Sequence, residues 1–118
     1  MKRISLKEIF SDERGKIESI HAGTSWLELN KFTSQPGKVR GGHYHKDSTE
    51  LIFIIEGKVE IELKNVKTNE TQKFVMRKDD GIIIEPYESH KVKILEASVW
   101  INALTKEYDQ NNPDVFNQ

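Results

Sequence analysis

The chain has 118 residues, a formal net charge of -1 and a pI near 6.4, which leaves room for one domain with one core and no basic excess to draw nucleic acid. Cysteine is absent, excluding disulfides and thiolate chemistry. The longest apolar runs, LIFII and III, are too short to cross a bilayer, and the start lacks the apolar core of a signal peptide, so a cytoplasmic protein with no membrane partner is expected.

Along the chain, runs rich in Ile, Val and Phe recur at about eight- to twelve-residue intervals between Gly, Asn and Asp clusters, the spacing of a β-sandwich or barrel. Residues 12–15, DERG, precede the first strand and read as a turn with Gly15 at a special backbone angle, from which Arg14 could also reach a ligand phosphate. Strands are expected over residues 17–20, 25–33, 39–45 and 50–55. Glu56-Gly57 then reads as a two-residue hairpin turn that pairs LIFII directly with KVEIEL. In KVEIEL, Val59, Ile61 and Leu63 alternate with Lys58, Glu60 and Glu62, predicting one face in the core and one in water. A longer polar turn follows at residues 64–70, then strands over 72–77, 81–85, 90–94 and 98–103. The expected fold is all-β, one domain over residues 1–118, a jelly roll or small barrel whose interior forms the ligand pocket.

Within this frame the histidines are the chemically informative residues. His43 and His45 are two apart on a strand, so they share a face with Cα atoms about 6.7 Å apart. Tyr44, between them, points the other way and reads first as a packing residue. Glu50 opens the following strand and His90 follows Pro86, which brings a carboxylate and a third imidazole toward the same volume. A single strand His is more often a half-buried, hydrogen-bonded side chain than a functional one; the combination points either to a metal or to proton transfer. Arg40 adjoins the pair and suits bidentate phosphate recognition, although a surface ion pair would explain it equally. Trp26, Phe32, Phe53, Phe74 and Trp100 read as core or dimer-contact residues, and His21 as solvated.

The span PGKVRGGHYHKDSTELIFIIEG fits G-x5-H-x-H-x4-E-x6-G at Gly37, His43, His45, Glu50 and Gly57, and so resembles the first motif of the cupin superfamily, a double-stranded β-helix or jelly-roll barrel. RGGHYHK and DERG resemble segments of cupins that act on nucleotide-linked 4-keto-6-deoxy sugars, the 3,4-ketoisomerases and the 3- or 3,5-epimerases. GIIIEPYESH has the G-x4-P-x3-H spacing of the ketoisomerases. The tail VWINALTKEYDQNNPDVF is similar to the end of the cupin domain that performs C3 epimerisation in UDP-N-acetylfucosamine synthesis. The resemblance implies an isomerase or epimerase of polysaccharide biosynthesis, with His43 and His45 as the proton-transfer pair. Arg14 and Arg40 would hold the diphosphate, and Tyr44, Glu50 and His90 would touch the substrate. It also implies a nucleotide-linked sugar as partner and a homodimer. The ketoisomerases tend to carry Gln where this chain has Glu50 and work without metal. With Glu50 the set His43, His45, Glu50 and His90 suits Zn, Mn, Fe or Ni, so a metal-dependent cupin oxygenase is the alternative, and a non-catalytic binding domain a third.

Overall fold

In the computed structural model, which describes residues 1–21 and 23–117, all regular structure among the described residues is β. The strands are β1 (Lys2–Ile4), β2 (Leu6–Asp12), β3 (Gly15–Ile20), β4 (Glu28–Ser34), β5 (Val39–Tyr44), β6 (Glu50–Asn65), β7 (Thr71–Arg77), β8 (Gly81–Ile84), β9 (Glu88–Leu104) and β10 (Phe116–Asn117). No helix is long and apolar enough to cross a membrane among these residues.

Two long strands make the frame. β6 and β9 pair antiparallel from Glu50↔Leu104 to Asn65↔Glu88, with register shifts around Ile54, Glu56 and Lys58. On its other edge β6 takes β8 along its first part and β7 along its second. β9 likewise takes β5 along its first half and β4 along its second. A strand pair that bends in the middle and carries different partners on each half folds two sheets face to face, which produces the cupin jelly roll the sequence predicted.

The bend corrects one expectation. Glu56-Gly57 is not a hairpin turn: LIFII and KVEIEL belong to one strand and pair with β9, not with each other. Gly57 has φ +97°, and a Cβ there would lie 2.3 Å from Ser98 Oγ and 2.5 Å from the Ala97 carbonyl oxygen, so its positive φ serves a bulge at a corner. The strands expected over residues 90–94 and 98–103 are likewise halves of β9. β1, β2 and β10 lie on polar or short segments where no periodicity marks them.

Both halves of β6 feed one core. Ile52, Ile54, Val59 and Ile61 are fully buried and pack with Met76, Ile82, Ile84, Val92, Ile94 and Trp100. Each such side chain contributes about 1.5–3 kcal/mol relative to exposure. The alternation in KVEIEL is realised: Val59, Ile61 and Leu63 face this core while Glu62 is exposed. Residues 51–54 are continuously apolar rather than alternating because the sheet is covered on both faces there, Leu51 packing with Ile83 and Ala103 under Ile4, Ile20 and Trp26. The DERG turn also forms, joining β2 to β3 with Asp12 opposite Gly15, and this hairpin is a separate two-stranded sheet.

Candidate active site in the barrel

The four residues that the sequence singled out converge. His43 lies on β5, directly opposite His90 on β9; His45 follows the end of β5, and Glu50 begins β6. The ligating atoms of His43, His45, Glu50 and His90 all lie within 4.8 Å of one another. Ring centroids of His43 stand 5.3 Å from His45 and 4.6 Å from His90. β5 reaches this position through a register shift between Gly41 and His43. Gly41 has φ +87°, and a Cβ on it would sit 2.5 Å from the His90 carbonyl oxygen, so only glycine lets the two histidine strands approach this closely.

Glu50 is the hub. It is 4 % exposed, and burying a lone carboxylate would cost several kcal/mol. Its Oε1 accepts from His45 Nε2 at 2.9 Å and lies 3.3 Å from His90 Nε2, while Oε2 accepts from Asn102 Nδ2 at 3.2 Å. Burial resists ionisation of Glu50, but the hydrogen bonds and charges of His45 and His90 prevail and hold its pKa well below the usual carboxylate range. Asn102 is kept in orientation by Asn30, whose Nδ2 donates to Asn102 Oδ1 at 3.1 Å and to Glu28 Oε2 at 2.9 Å.

The two strand histidines are pushed apart. Burial, reinforced by the neighbouring His90 and His45, lowers the His43 pKa to about 4, leaving a neutral imidazole at neutral pH. Burial also disfavours charge on His45, but its bonds to the Glu50 carboxylate and the Asp114 carbonyl, with the negative charge of Glu50 beside it, raise its pKa above the ordinary value. His45 lies between two acceptors, Glu50 Oε1 and the Asp114 carbonyl oxygen at 2.6 Å from Nδ1, and it donates to both only as the imidazolium, with a proton on each ring nitrogen.

A cavity of about 250 Å³ opens on this cluster, lined by His43, His45, Glu50, His90 and Asn102, with Arg40 and an apolar wall of Phe32, Ile52, Val92, Trp100, Leu104 and Val115. Phe32 and Trp100 stack face to face at 4.0 Å. Arg40 lines the cavity, where Ser34 Oγ accepts from its Nε at 3.1 Å and its guanidinium lies 5.3 Å from the Phe32 ring centroid. A larger surface hollow of about 570 Å³ is lined by Leu63, Glu70, Gln72, Glu85 and Glu88 and contains no imidazole, so the histidine cluster belongs to the smaller one.

Two expected substrate contacts are not brought to the cavity. Tyr44 faces away, as its place between the histidines requires, and packs against Tyr87 and Phe116 at 6.1 and 5.7 Å between ring centroids. Arg14 is largely exposed on the β2–β3 turn and paired with Asp12, in a shallow groove of that hairpin. The sequence reading passed over Asn102, Asn30, Ser34 and Asp114. Each is polar in a strand or tail with no local pattern, and each reaches the site only through long-range pairing.

The bent β6–β9 frame and a buried His–Glu cluster beside its cavity define a small cupin barrel. The chain belongs to the family described as the polysaccharide biosynthesis C-terminal domain, whose model matches residues 10–116. It is 26 % identical over 113 residues to the UDP-2-acetamido-2,6-beta-L-arabino-hexul-4-ose reductase of Pseudomonas aeruginosa, covering 90 % of this chain but only 30 % of that protein. Among solved structures it resembles a mutant of the 3,4-ketoisomerase QdtA from Thermoanaerobacterium thermosaccharolyticum bound to TDP-4-keto-6-deoxyglucose, with a TM-score of 0.80 and 20 % identity over 98 % of this chain and 86 % of that one. It also resembles the dTDP-4-dehydrorhamnose 3,5-epimerase of Sulfolobus tokodaii, with a TM-score of 0.78 and 24 % identity over 93 % of this chain and 73 % of that one. At these identities the two structures establish the fold.

Proposed function

We propose that this domain is a sugar-nucleotide isomerase or epimerase that acts on a nucleotide-linked 4-keto-6-deoxyhexose by proton transfer at C3 and C4. The observation that carries this reading is the convergence of His43 and His45 on one cavity in unlike surroundings, which push their pKa values in opposite directions and so suit one to act as base and the other as acid. Neutral His43 takes the proton from C3. The C–H electron pair becomes the C3–C4 double bond, and the carbonyl pair moves onto O4, which the Nε2 proton of His45 neutralises. Return of a proton to C4 with loss of the O3 proton gives the 3-keto isomer; return to the opposite face of C3 with loss of the O4 proton gives the epimer. The apolar wall with its Phe32–Trp100 stack receives the deoxy face of the sugar, and Arg40 at the rim suits the diphosphate. The ketoisomerase and epimerase likenesses support the same reading. The test is incubation with TDP- and UDP-linked 4-keto-6-deoxy sugars in D2O, following loss of the C3 proton by NMR; no exchange with any of them overturns the proposal.

The pH profile follows from the signs of the two shifts. The base works only when unprotonated, so the rate climbs as pH rises through about 4 on His43. The acid works only when charged, and because its pKa is raised the falling limb lies above the ordinary imidazole value of about 6.5. A profile that instead rises near pH 6.5 contradicts the assignment.

The donor set also fits a divalent cation: three imidazoles and a carboxylate within 4.8 Å, so that His43, His45, Glu50 and His90 would hold it. Such an ion, when bound, supplies Lewis-acid polarisation of a carbonyl oxygen, and in the oxygenase alternative a site for oxygen chemistry. The isomerase reading requires no cofactor, because proton transfer between imidazoles and a keto sugar calls on no ion. Dialysis against a chelator, checked by elemental analysis, is therefore expected to leave the exchange rate within twofold. Abolition of exchange that returns with one metal ion would favour the metal-dependent reading.

A homodimer accompanies this proposal. Ile9, Phe10 and Ile17 on the separate β2–β3 hairpin are 58 %, 51 % and 55 % exposed, and Leu29 on β4 is 66 % exposed, apolar surface that a second copy would cover. Sedimentation is expected to give twice the chain mass, and Phe10→Glu to give the monomer.

A further inference from the structure

The geometry points to Asp114, in the tail after β9, as the positioning residue for His45. This rests on the proton-transfer reading of His45, and it concerns a residue 69 positions away from it in sequence. The backbone carbonyl of Asp114 accepts from His45 Nδ1 at 2.6 Å. The same residue's carboxylate accepts from three consecutive main-chain N–H groups just beyond His45: Lys46 at 2.8 Å on Oδ1, and Asp47 at 3.0 Å and Ser48 at 2.7 Å on Oδ2. One residue thus grips both the ring of His45 and the loop that leads from His45 to Glu50.

These two grips act together. With Nδ1–H committed to the Asp114 carbonyl, Nε2 is the nitrogen that faces Glu50 and the cavity, so the ring flip is fixed and Nε2 is the nitrogen left to give up its proton. A main-chain carbonyl holds an imidazole only as firmly as its own residue is held, and the carboxylate latch on the 46–48 loop provides that hold. The neighbours extend the attachment: Val115 lines the cavity, and Phe116 pairs with Tyr44 on the free edge of β5. Phe116 also packs tilted against Tyr44 at 5.7 Å and lies beneath Lys46, whose Nζ is 4.0 Å from the ring centroid. The tail is a strap that fastens the end of the histidine strand, and Asp114 is its buckle at the reacting ring.

The experiment combines side-chain 15N NMR of His45 with kinetics on the full chain. Wild type is expected to show a slowly exchanging His45 Nδ1–H. In Asp114→Ala that signal is expected to disappear into solvent exchange while the C3 exchange kcat falls about ten- to hundredfold, with KM within twofold. Asp114→Asn keeps an acceptor for the loop N–H groups and is expected to recover most of both. The inference is overturned if wild type lacks the protected Nδ1–H, if Asp114→Ala retains the signal and the rate, or if Asp114→Asn is no better than Asp114→Ala. Should no keto sugar exchange even with wild type, the functional reading fails, and the ring signal in the three proteins still decides the role of Asp114.

Discussion

His45→Ala is expected to lose C3 proton exchange by about 10²–10⁴-fold, the usual worth of a positioned acid or base. It should also lose stability, because it takes away a hydrogen-bond donor from a carboxylate that is 4 % exposed. Leaving a buried charge with one fewer partner costs on the order of 3 kcal/mol, offset in part by the contacts Glu50 keeps with His90 and Asn102. The two losses separate in His45→Gln. Its amide can still donate to Glu50 but cannot carry a proton to and from a substrate, so denaturant unfolding should return close to wild type while exchange stays lost. If His45→Gln keeps substantial exchange, His45 is a structural partner of Glu50, and the reacting proton must pass through another group.

That outcome matters because the histidine pattern was legible in the sequence and its division of labour was not. Strand alternation places His43 and His45 on one face whatever the fold, and the spacing to Glu50 and His90 survives folding because β5, β6 and β9 are neighbours in the barrel. The direction of each pKa is a different matter. His43 and His45 are the same residue type two positions apart; one is depressed by burial among other imidazoles, and the other is raised by Glu50 and a carbonyl from the tail. Those partners arrive from 5 and 69 residues away, and no local pattern announces the second. The fold divides similarly. KVEIEL could be assigned a buried face because alternation is local, whereas Glu56-Gly57 looked like a hairpin because a glycine between two apolar runs fits a reversal and a corner equally well. Only the partner strand decides, and β9 lies along both halves. Arg14 and Tyr44 lie away from the cavity for ordinary reasons: one is paired with Asp12 on a projecting turn, and the other obeys the alternation that placed the histidines.

The glycines of the site segment offer the second large effect, because two of them share a backbone angle but not a neighbourhood. Gly37 and Gly41 have φ +81° and +87°, so alanine at either carries the strain of a positive φ, about 1 kcal/mol. At Gly37 nothing lies within 4 Å of the added Cβ, and the cost stops there. At Gly41 the Cβ would stand 2.5 Å from the main-chain oxygen of His90 and 3.5 Å from its ring Cδ2, and a backbone atom cannot rotate away. β5 and β9 must then part at the point where His43 faces His90. Gly41→Ala is therefore expected to lose about 2–4 kcal/mol in denaturant unfolding, through strain added to steric overlap. Its kcat should fall by about 10²-fold even under conditions where it is fully folded, since misplacing catalytic groups by an ångström has that effect. Gly37→Ala should lose about 1 kcal/mol and keep its kcat. Equal losses at the two positions would mean that backbone angle alone dictates glycine here, and that the close approach of the two histidine strands is not what the pocket depends on.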